Sequence, residues 1–332
     1  MSEEKALKYR VAFMGTPLFA AEILSKVATW ERGKLVCVYT QPDRPARRGQ
    51  KLLPSPVKEV AISLGVPCLQ PKSLKSPEEI TQLASFAPDF LLVAAYGQLL
   101  PKAVLDLARF PPLNVHGSLL PKYRGAAPVQ RAIMDNYLPH CESGVSIMQM
   151  VEALDAGPVF AQERIAIEDK TADELLATMA VVGGEALLKV LEALHAGTAR
   201  PVPQDESKVT YAAKLEKKDG LVRWNAPAAC VHAQIRAVTS KPGAHTAFLF
   251  EGDESPVPVQ LLPGKPEEQP ANQASGTLLV DKKGLCVACA DCWYRLDMIK
   301  PHGKAFMNAK AFVNGYVRPQ VKGVCGTVEG AF

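Results

Sequence analysis

The sequence holds no apolar run approaching the roughly 18 residues that a membrane-spanning helix requires. Its opening stretch, MSEEKALKYR, lacks the apolar core of a secretory leader. Both absences point to a cytoplasmic protein. No internal repeat is found. A disulfide framework is missing too: most of the eight cysteines sit singly in apolar runs such as LVCVY, as small buried hydrophobes do. The exception is Cys286, Cys289 and Cys292, spaced C-x-x-C-x-x-C in the strand-like run GLCVACADCWYRL. Residues three apart on a strand point to opposite faces, and the next cysteine, Cys325, lies far downstream, so no metal site is expected. The stretch FMGTP lacks the G-x-G-x-x-G of dinucleotide folds, which argues against a dehydrogenase. A net charge of only +4 excludes a protein that coats nucleic acid over its whole surface, while leaving room for a local basic stripe.

What is present is ordinary globular material, 48% hydrophobic and 22% charged over 332 residues, which is more chain than one core usually supports. From Tyr9 onward, apolar β-branched runs (YRVAFMG, LVCVYTQ, DFLLVAAYG, PLNVHGS) alternate with helical patterns such as FAAEILSKVA. That alternation predicts an α/β domain: a Rossmann-like, mostly parallel sheet with helices on both faces. The clearest helix covers 171–195, opened by the capping box of Thr171 and Glu174 and ended by Gly197. Residues 198–210 (TARPVPQDESKVT) suit an exposed linker, giving domains at 1–197 and 211–332. Short apolar runs beyond it, with one helix around 226–238, predict a small β-barrel. GKPEEQPANQAS, residues 264–275, reads as a mobile loop within that barrel.

Chemistry concentrates in PLNVHGSLLP. A strand ending near His116 places Asn114 and His116 on one face at the carboxyl edge of the sheet, where ligands of open α/β folds gather. An amide N–H stabilises an oxygen developing negative charge, and an imidazole moves protons near neutral pH, a pair suited to attack on a carbonyl carbon. Asp155, in EALDAGPVF, is set at a turn by Gly157 and Pro158 and is positioned to orient or charge His116. The plainer readings stand beside these: Asn-x-His occurs by chance, and Asp before Ala-Gly is a common turn residue. Arg124, in KYRGAAP, sits on backbone with little side-chain cover, open to an anion. The stretch QPDRPARRGQKLLPSPVK carries Arg44, Arg47, Arg48, Lys51 and Lys58 against the single acid Asp43. Its prolines discourage helix, and it reads either as a phosphate-gripping loop or as a solvated one. His140, His195, His232, His245 and His302 have no partners at ligand spacing and read as structural or solvated.

Taken together, TQPDRPARRGQKLLPSPVK, VAAYGQLLP, NVHGSLLPKYRGAAP, SIMQMVEALDAGP and TYAAKLEKKDGLVRW resemble the methionyl-tRNA formyltransferase family, along nearly the whole chain. Asn-x-His-Gly-Ser-Leu-Leu-Pro with a later Leu-Asp-Ala-Gly is shared by the wider 10-formyltetrahydrofolate-dependent transferases. The basic loop and an OB-like C-terminal barrel that touches tRNA are what name the acceptor. The resemblance implies formyl transfer from the co-substrate 10-formyltetrahydrofolate to methionyl initiator tRNA by a monomer, with no metal. Asn114 would bind the formyl oxygen, His116 would stabilise or protonate the tetrahedral intermediate, and Asp155 would assist proton movement. Ser118, Leu119, Leu120 and Pro121, with backbone at Val93, Ala94, Ala95, Tyr96 and Gly97, would hold the folate. Arg44, Arg47, Arg48 and Lys51 would grip the tRNA. Two other roles share these features: a formyltransferase acting on a sugar-nucleotide or purine-precursor amine, and a tRNA-binding module without catalysis. The chain departs from the family pattern at Arg47, where glycine is usual, at Thr239-Ser240-Lys241-Pro242 in place of Asn-Pro-Trp-Pro, and at Cys292, where a turn glycine is common.

Overall fold

A computed structural model describes residues 8–45, 52–138, 140–317 and 323–329. These form two units. The first takes the described residues up to 125 together with 143–165 and 176–212; the second takes 126–142, 166–175 and those from 213 onward.

In chain order the strands centred on the first unit are β1 (Tyr9–Gly15), β2 (Gly33–Tyr39), β3 (Arg44–Pro45), β4 (Leu52–Leu53), β5 (Cys68–Leu69), β6 (Phe90–Ala94), β7 (Leu113–His116), β8 (Arg124–Gly125), β9 (Glu142–Gln149), β10 (Val159–Ala166) and β11 (Tyr211–Ala212). Seven of them make one sheet in the order β10-β9-β7-β6-β1-β2-β5. The pairs β2–β5, β1–β2, β1–β6 and β6–β7 are parallel, and β9 joins β7 antiparallel. The chain steps from β1 to β2 and β5 on one side, then returns to the other edge of β1 as β6, so the switch point lies between β1 and β6. The central runs are apolar throughout because helices cover both faces. Ala12, Met14, Leu91 and Val93 pack with Leu83 and Val104 on one face. On the other, helix Ala172–His195 presses against Val115, since a Cβ on Gly183 would fall 2.9 Å from Val115 Cγ1. A larger residue at Gly183 would push the helix off the strand that carries Asn114 and His116.

Thr171 and Glu174 make the capping box: Thr171 N–H donates to Glu174 Oε2 at 2.8 Å, and Glu174 N–H to Thr171 Oγ1 at 3.4 Å. Residues 198–212 are largely exposed, yet they run tied along the first unit, with Val202 bridged to Val159 and β11 pairing in parallel with β8.

The second unit holds β12 (Ala244–Phe250), β13 (Val257–Leu261), β14 (Lys265–Pro270), β15 (Thr277–Asp281), β16 (Gly284–Ala288), β17 (Cys292–Arg295), β18 (Met298–Pro301), β19 (Met307–Asn308) and β20 (Gly323–Glu329). They form a curled antiparallel half-barrel in the order β14-β17-β16-β15-β20-β12-β13-β18-β19, the barrel-like architecture that the short runs predict. Helix Ala228–Val238 is buried along most of its length.

Two expectations are corrected here. The stretch 264–275 is not a loop throughout: Lys265–Pro270 is edge strand β14 on β17, its prolines tolerated because an edge needs donors on one side only, and Glu267 pairs with Arg295. GLCVACADCWYRL is not one strand but the hairpin β16–β17, turning where Cys289 N–H donates to Cys292 O at 3.0 Å. Among the described residues no helix is long and apolar enough to cross a membrane.

Candidate active site

β7 ends the sheet's parallel run with Leu113 and Val115 buried, while Asn114 and His116 share the opposite face. Asn114 lies across from Val93 of β6 and Met148 of β9. Its half-buried amide forms no hydrogen bond among the described residues, so it keeps both donors for a ligand.

His116 is 6% exposed. Its Nε2 lies 3.0 Å from the carbonyl of Tyr123. A carbonyl can only accept, so Nε2 carries the hydrogen, and Nδ1 is the nitrogen left for chemistry. Nδ1 faces Asp155 Oδ1 at 3.7 Å, too far for a direct hydrogen bond but well within electrostatic reach. The other oxygen of Asp155 is held: Oδ2 accepts from the Gly125 backbone N–H at 2.8 Å. Tyr123 and Gly125, two residues apart, thus hold the histidine and the carboxylate from one short segment that ends in β8.

Asp155 sits in the left-handed region at φ 49°. A side chain there costs on the order of 1–3 kcal/mol, which the surroundings must offset. The loop cannot relax by moving inward, because a Cβ on Gly157 would meet Gln149 O at 1.9 Å. Gln204 closes the loop from outside, its Nε2 donating to Asp155 O at 2.8 Å and Gly157 O at 2.7 Å.

Ser118, Leu119, Leu120 and Pro121 follow β7 directly. Ser118 Oγ donates to Lys122 O at 2.6 Å, and the Leu120 N–H and Ser118 O both bond Ser146 Oγ, so buried Ser118 and Leu120 shape the turn. Gln162 Nε2 donates to Leu120 O at 2.8 Å and fixes it further. Leu119 and Pro121 stay half-buried. On β6, Val93, Ala94 and Tyr96 are buried, whereas Ala95 and Gly97 are exposed at the carboxyl edge, at φ 44° and 79°. Tyr96 O is taken by Thr16 Oγ1 at 3.0 Å and Gln41 Nε2 at 2.9 Å, so the turn after β6 is locked to the turn after β1. These turns flank the switch point of the sheet.

Residues 9–191 match the formyl transferase family model, and residues 214–317 match the model of the formyl transferase C-terminal domain. The chain belongs to the formyl transferase family. It is 47% identical over 330 residues to methionyl-tRNA formyltransferase of Desulfovibrio desulfuricans, covering 98% of this chain and 97% of that one. The enzyme of the same name from Acidithiobacillus ferrooxidans is 43% identical over 321 residues, covering 96% and 99%. In fold the chain is similar to HypX from Aquifex aeolicus in complex with tetrahydrofolic acid, with a TM-score of 0.62 at 16% identity, covering 95% of this chain and 50% of that one.

For this formyl transferase, one sequence expectation fails on burial. Arg124 is 3% exposed and is not open to an anion. Its fork is already filled by Glu206, through Nη1 at 3.2 Å and Nη2 at 2.7 Å, and by Gln204 Oε1, through Nε at 3.0 Å and Nη2 at 2.8 Å. The Glu206 bond holds the guanidinium above its ordinary pKa.

In the basic stretch, Arg44 contributes backbone to the short β3–β4 ladder, while Arg47, Arg48 and Lys51 lie outside the described residues. Lys58 is on a helix, Pro56–Ser63, despite the prolines: Ser55 caps it and Pro56 fills a first-turn position, where no N–H is needed. Lys58 Nζ is paired with Asp43 at 2.5 Å.

The structure brings Asn114, His116 and Asp155 together at the carboxyl edge. What sequence reasoning missed were the groups that hold them: the Tyr123 carbonyl, the Gly125 N–H and the Gln204 amide. Two are backbone and carry no sequence signal. Gln204 lies 49 positions from Asp155 in a stretch whose composition says only "exposed".

Proposed function

We propose that this chain formylates methionyl initiator tRNA, taking the formyl group from 10-formyltetrahydrofolate. The observation that carries the reading is full-length similarity to methionyl-tRNA formyltransferases, 47% identity over 98% of the chain, together with an acyl-transfer trio in one place. The α-amino group of methionine titrates near pH ~8 and attacks once neutral, so the enzyme's task is to stabilise the oxyanion and handle protons. As the amine nitrogen bonds the formyl carbon, Asn114 donates its amide hydrogen to the formyl oxygen. His116 Nδ1, uncommitted, takes the proton that the amine nitrogen sheds on bonding the carbon, and passes it to the departing folate nitrogen as the carbon–nitrogen bond breaks. Asp155 holds that proton's path and balances the imidazolium charge. The exposed backbone at Ala95 and Gly97 and the fixed turn 118–121 fit a flat folate ring, while Arg44, Arg47, Arg48 and Lys51 meet tRNA phosphates.

In this reading residues 1–197 catalyse and 211–332 contact tRNA, and the protein works as a cytoplasmic monomer. Asn114, His116 and Asp155 do not by themselves select the acceptor; full-length similarity to methionyl-tRNA formyltransferases favours charged tRNA over a sugar-nucleotide amine, and an assay tests that choice. Formyl transfer from 10-formyltetrahydrofolate is measured to methionyl initiator tRNA, to free methionine and to a sugar-nucleotide amine in parallel. Formylation of charged tRNA alone is expected. Preference for another amine would overturn the acceptor, and no transfer to any would leave a tRNA-binding module.

A further inference from the structure

We infer that Gln204, in the stretch joining the two family-matched regions, is a positioning residue for Asp155 and through it for His116; the inference rests on the catalytic reading given above. The Gln204 amide is used completely. Its nitrogen donates both hydrogens, to Asp155 O at 2.8 Å and Gly157 O at 2.7 Å, while its oxygen accepts two N–H groups of Arg124 at 3.0 and 2.8 Å. The orientation is fixed by chemistry, because two carbonyls can only accept and a guanidinium can only donate. Arg124 is in turn the middle residue of the segment whose neighbours hold the catalytic pair, Tyr123 through its carbonyl and Gly125 through its N–H.

A closed ring of contacts results. His116 is bonded to 123, Asp155 to 125, Arg124 to Gln204, and Gln204 back to the Asp155 loop. The stretch carrying Gln204 is anchored on both flanks, by Val202 on Val159 and by Thr210, whose carbonyl takes the Arg124 N–H at 2.9 Å and whose Oγ1 takes the Tyr123 N–H at 2.9 Å. The ring sets the 3.7 Å gap between His116 Nδ1 and Asp155 Oδ1, since both partners hang from the 123–125 segment. Left-handed Asp155 has no other side-chain hydrogen bond to its carbonyl among the described residues, so losing the clamp frees the loop to turn the carboxylate away.

Gln204→Glu separates positioning from folding. The variant keeps the length of the side chain and gives Arg124 a stronger acceptor, but it replaces two donors with an oxygen facing two carbonyls. Protonating the new carboxyl returns one donor, so kcat relative to the unaltered chain must recover as pH falls, which a merely structural role would not produce. Formyl transfer to methionyl tRNA is measured for the full-length chain, for Gln204→Glu and for His116→Ala, with melting temperatures alongside. Expected for Gln204→Glu is a kcat lower by about ten- to a hundredfold, the scale of a small misplacement of reacting groups. KM for both substrates should stay within about twofold, melting should be unchanged, and the kcat ratio should climb towards acid pH. Wild-type kcat, or a loss that tracks the loss of folded protein, overturns the inference while leaving the catalytic reading standing. Full activity in His116→Ala overturns both.

Discussion

Two histidines, one in each unit, are buried to nearly the same degree, His116 at 6% and His232 at 8% exposure, and they are wired differently. His232 has both ring nitrogens engaged: Nδ1 lies 2.9 Å from Tyr294 Oη and Nε2 lies 2.6 Å from Asp169 Oδ1. Tyr294 Oη already accepts the Gly264 N–H at 2.8 Å, so its own hydrogen goes to Nδ1 and the Nε2 hydrogen goes to Asp169. Arg236 completes the cluster by donating to Glu168 O at 2.8 Å and Lys170 O at 2.9 Å. Both ring nitrogens of His232 are thereby committed, and the result ties residues 168–170 to helix Ala228–Val238. His116 has one nitrogen engaged and one facing a carboxylate out of bonding range. Saturation makes a histidine a fastener, whereas one uncommitted nitrogen leaves a histidine able to exchange a proton with a substrate.

The sharpest way to break this comparison is to remove each ring in turn. His116→Ala should lower turnover per folded molecule by about 10²–10⁴, the range for a lost acid–base group, beyond any loss of stability from the emptied buried site; activity is read by formyl transfer and stability by calorimetry. Near-normal turnover would make His116 a fastener too. His232→Ala should spare turnover per folded molecule and cost about 2–3 kcal/mol of stability, from a cavity and the buried Tyr294 hydroxyl left without its acceptor, while exposed Asp169 turns to water. A stable but inactive His232→Ala would end the contrast.

The smallest effect concerns pH. Burial holds the His232 imidazole below its ordinary pKa, and Arg236 adds to this against the opposing Asp169 hydrogen bond. The unfolded chain therefore binds the proton first, so the stabilisation is complete above about pH 6.5 and drains away as pH falls through that value. Melting temperature should drop between pH 7 and 5, less steeply in His232→Gln. Equal slopes in the two proteins would show that the ring titrates as if exposed.

Much of this was legible in the sequence. The runs YRVAFMG and FLLVA, apolar without alternation, announced strands buried on both sides, and Thr171 with Glu174 announced a helix start that the hydrogen bonds reproduce. Asn114 and His116 were readable because a two-residue spacing on a strand fixes a shared face. The illegible parts share a physical cause: they depend on partners far along the chain. Arg124 looked free because its glycine and alanine neighbours are small, and only folding brings Gln204 and Glu206 to fill its fork. Charge and proline hid β14, since an edge strand tolerates both when its partner, β17, supplies Arg295. His232 could be set aside as structural from the sequence, but not identified as a fastener, because Asp169 and Tyr294 lie 63 and 62 positions away.

The pairing of β8 with β11 also bears on when the protein becomes competent during its own synthesis. Tyr123 and Thr210 are 87 positions apart, and the 123–125 segment that holds His116 and Asp155 is held in turn by residues around 210. A ribosome delivers the chain from its amino end, so β1 through β10 can assemble while the contacts that fix the trio are still unmade. A nascent chain stopped short of residue 204 would carry Asn114, His116 and Asp155 in a folded sheet without the brace that sets their spacing. The spacing of the site would then be set at one short stretch of polypeptide, before the residues proposed to contact tRNA have been made.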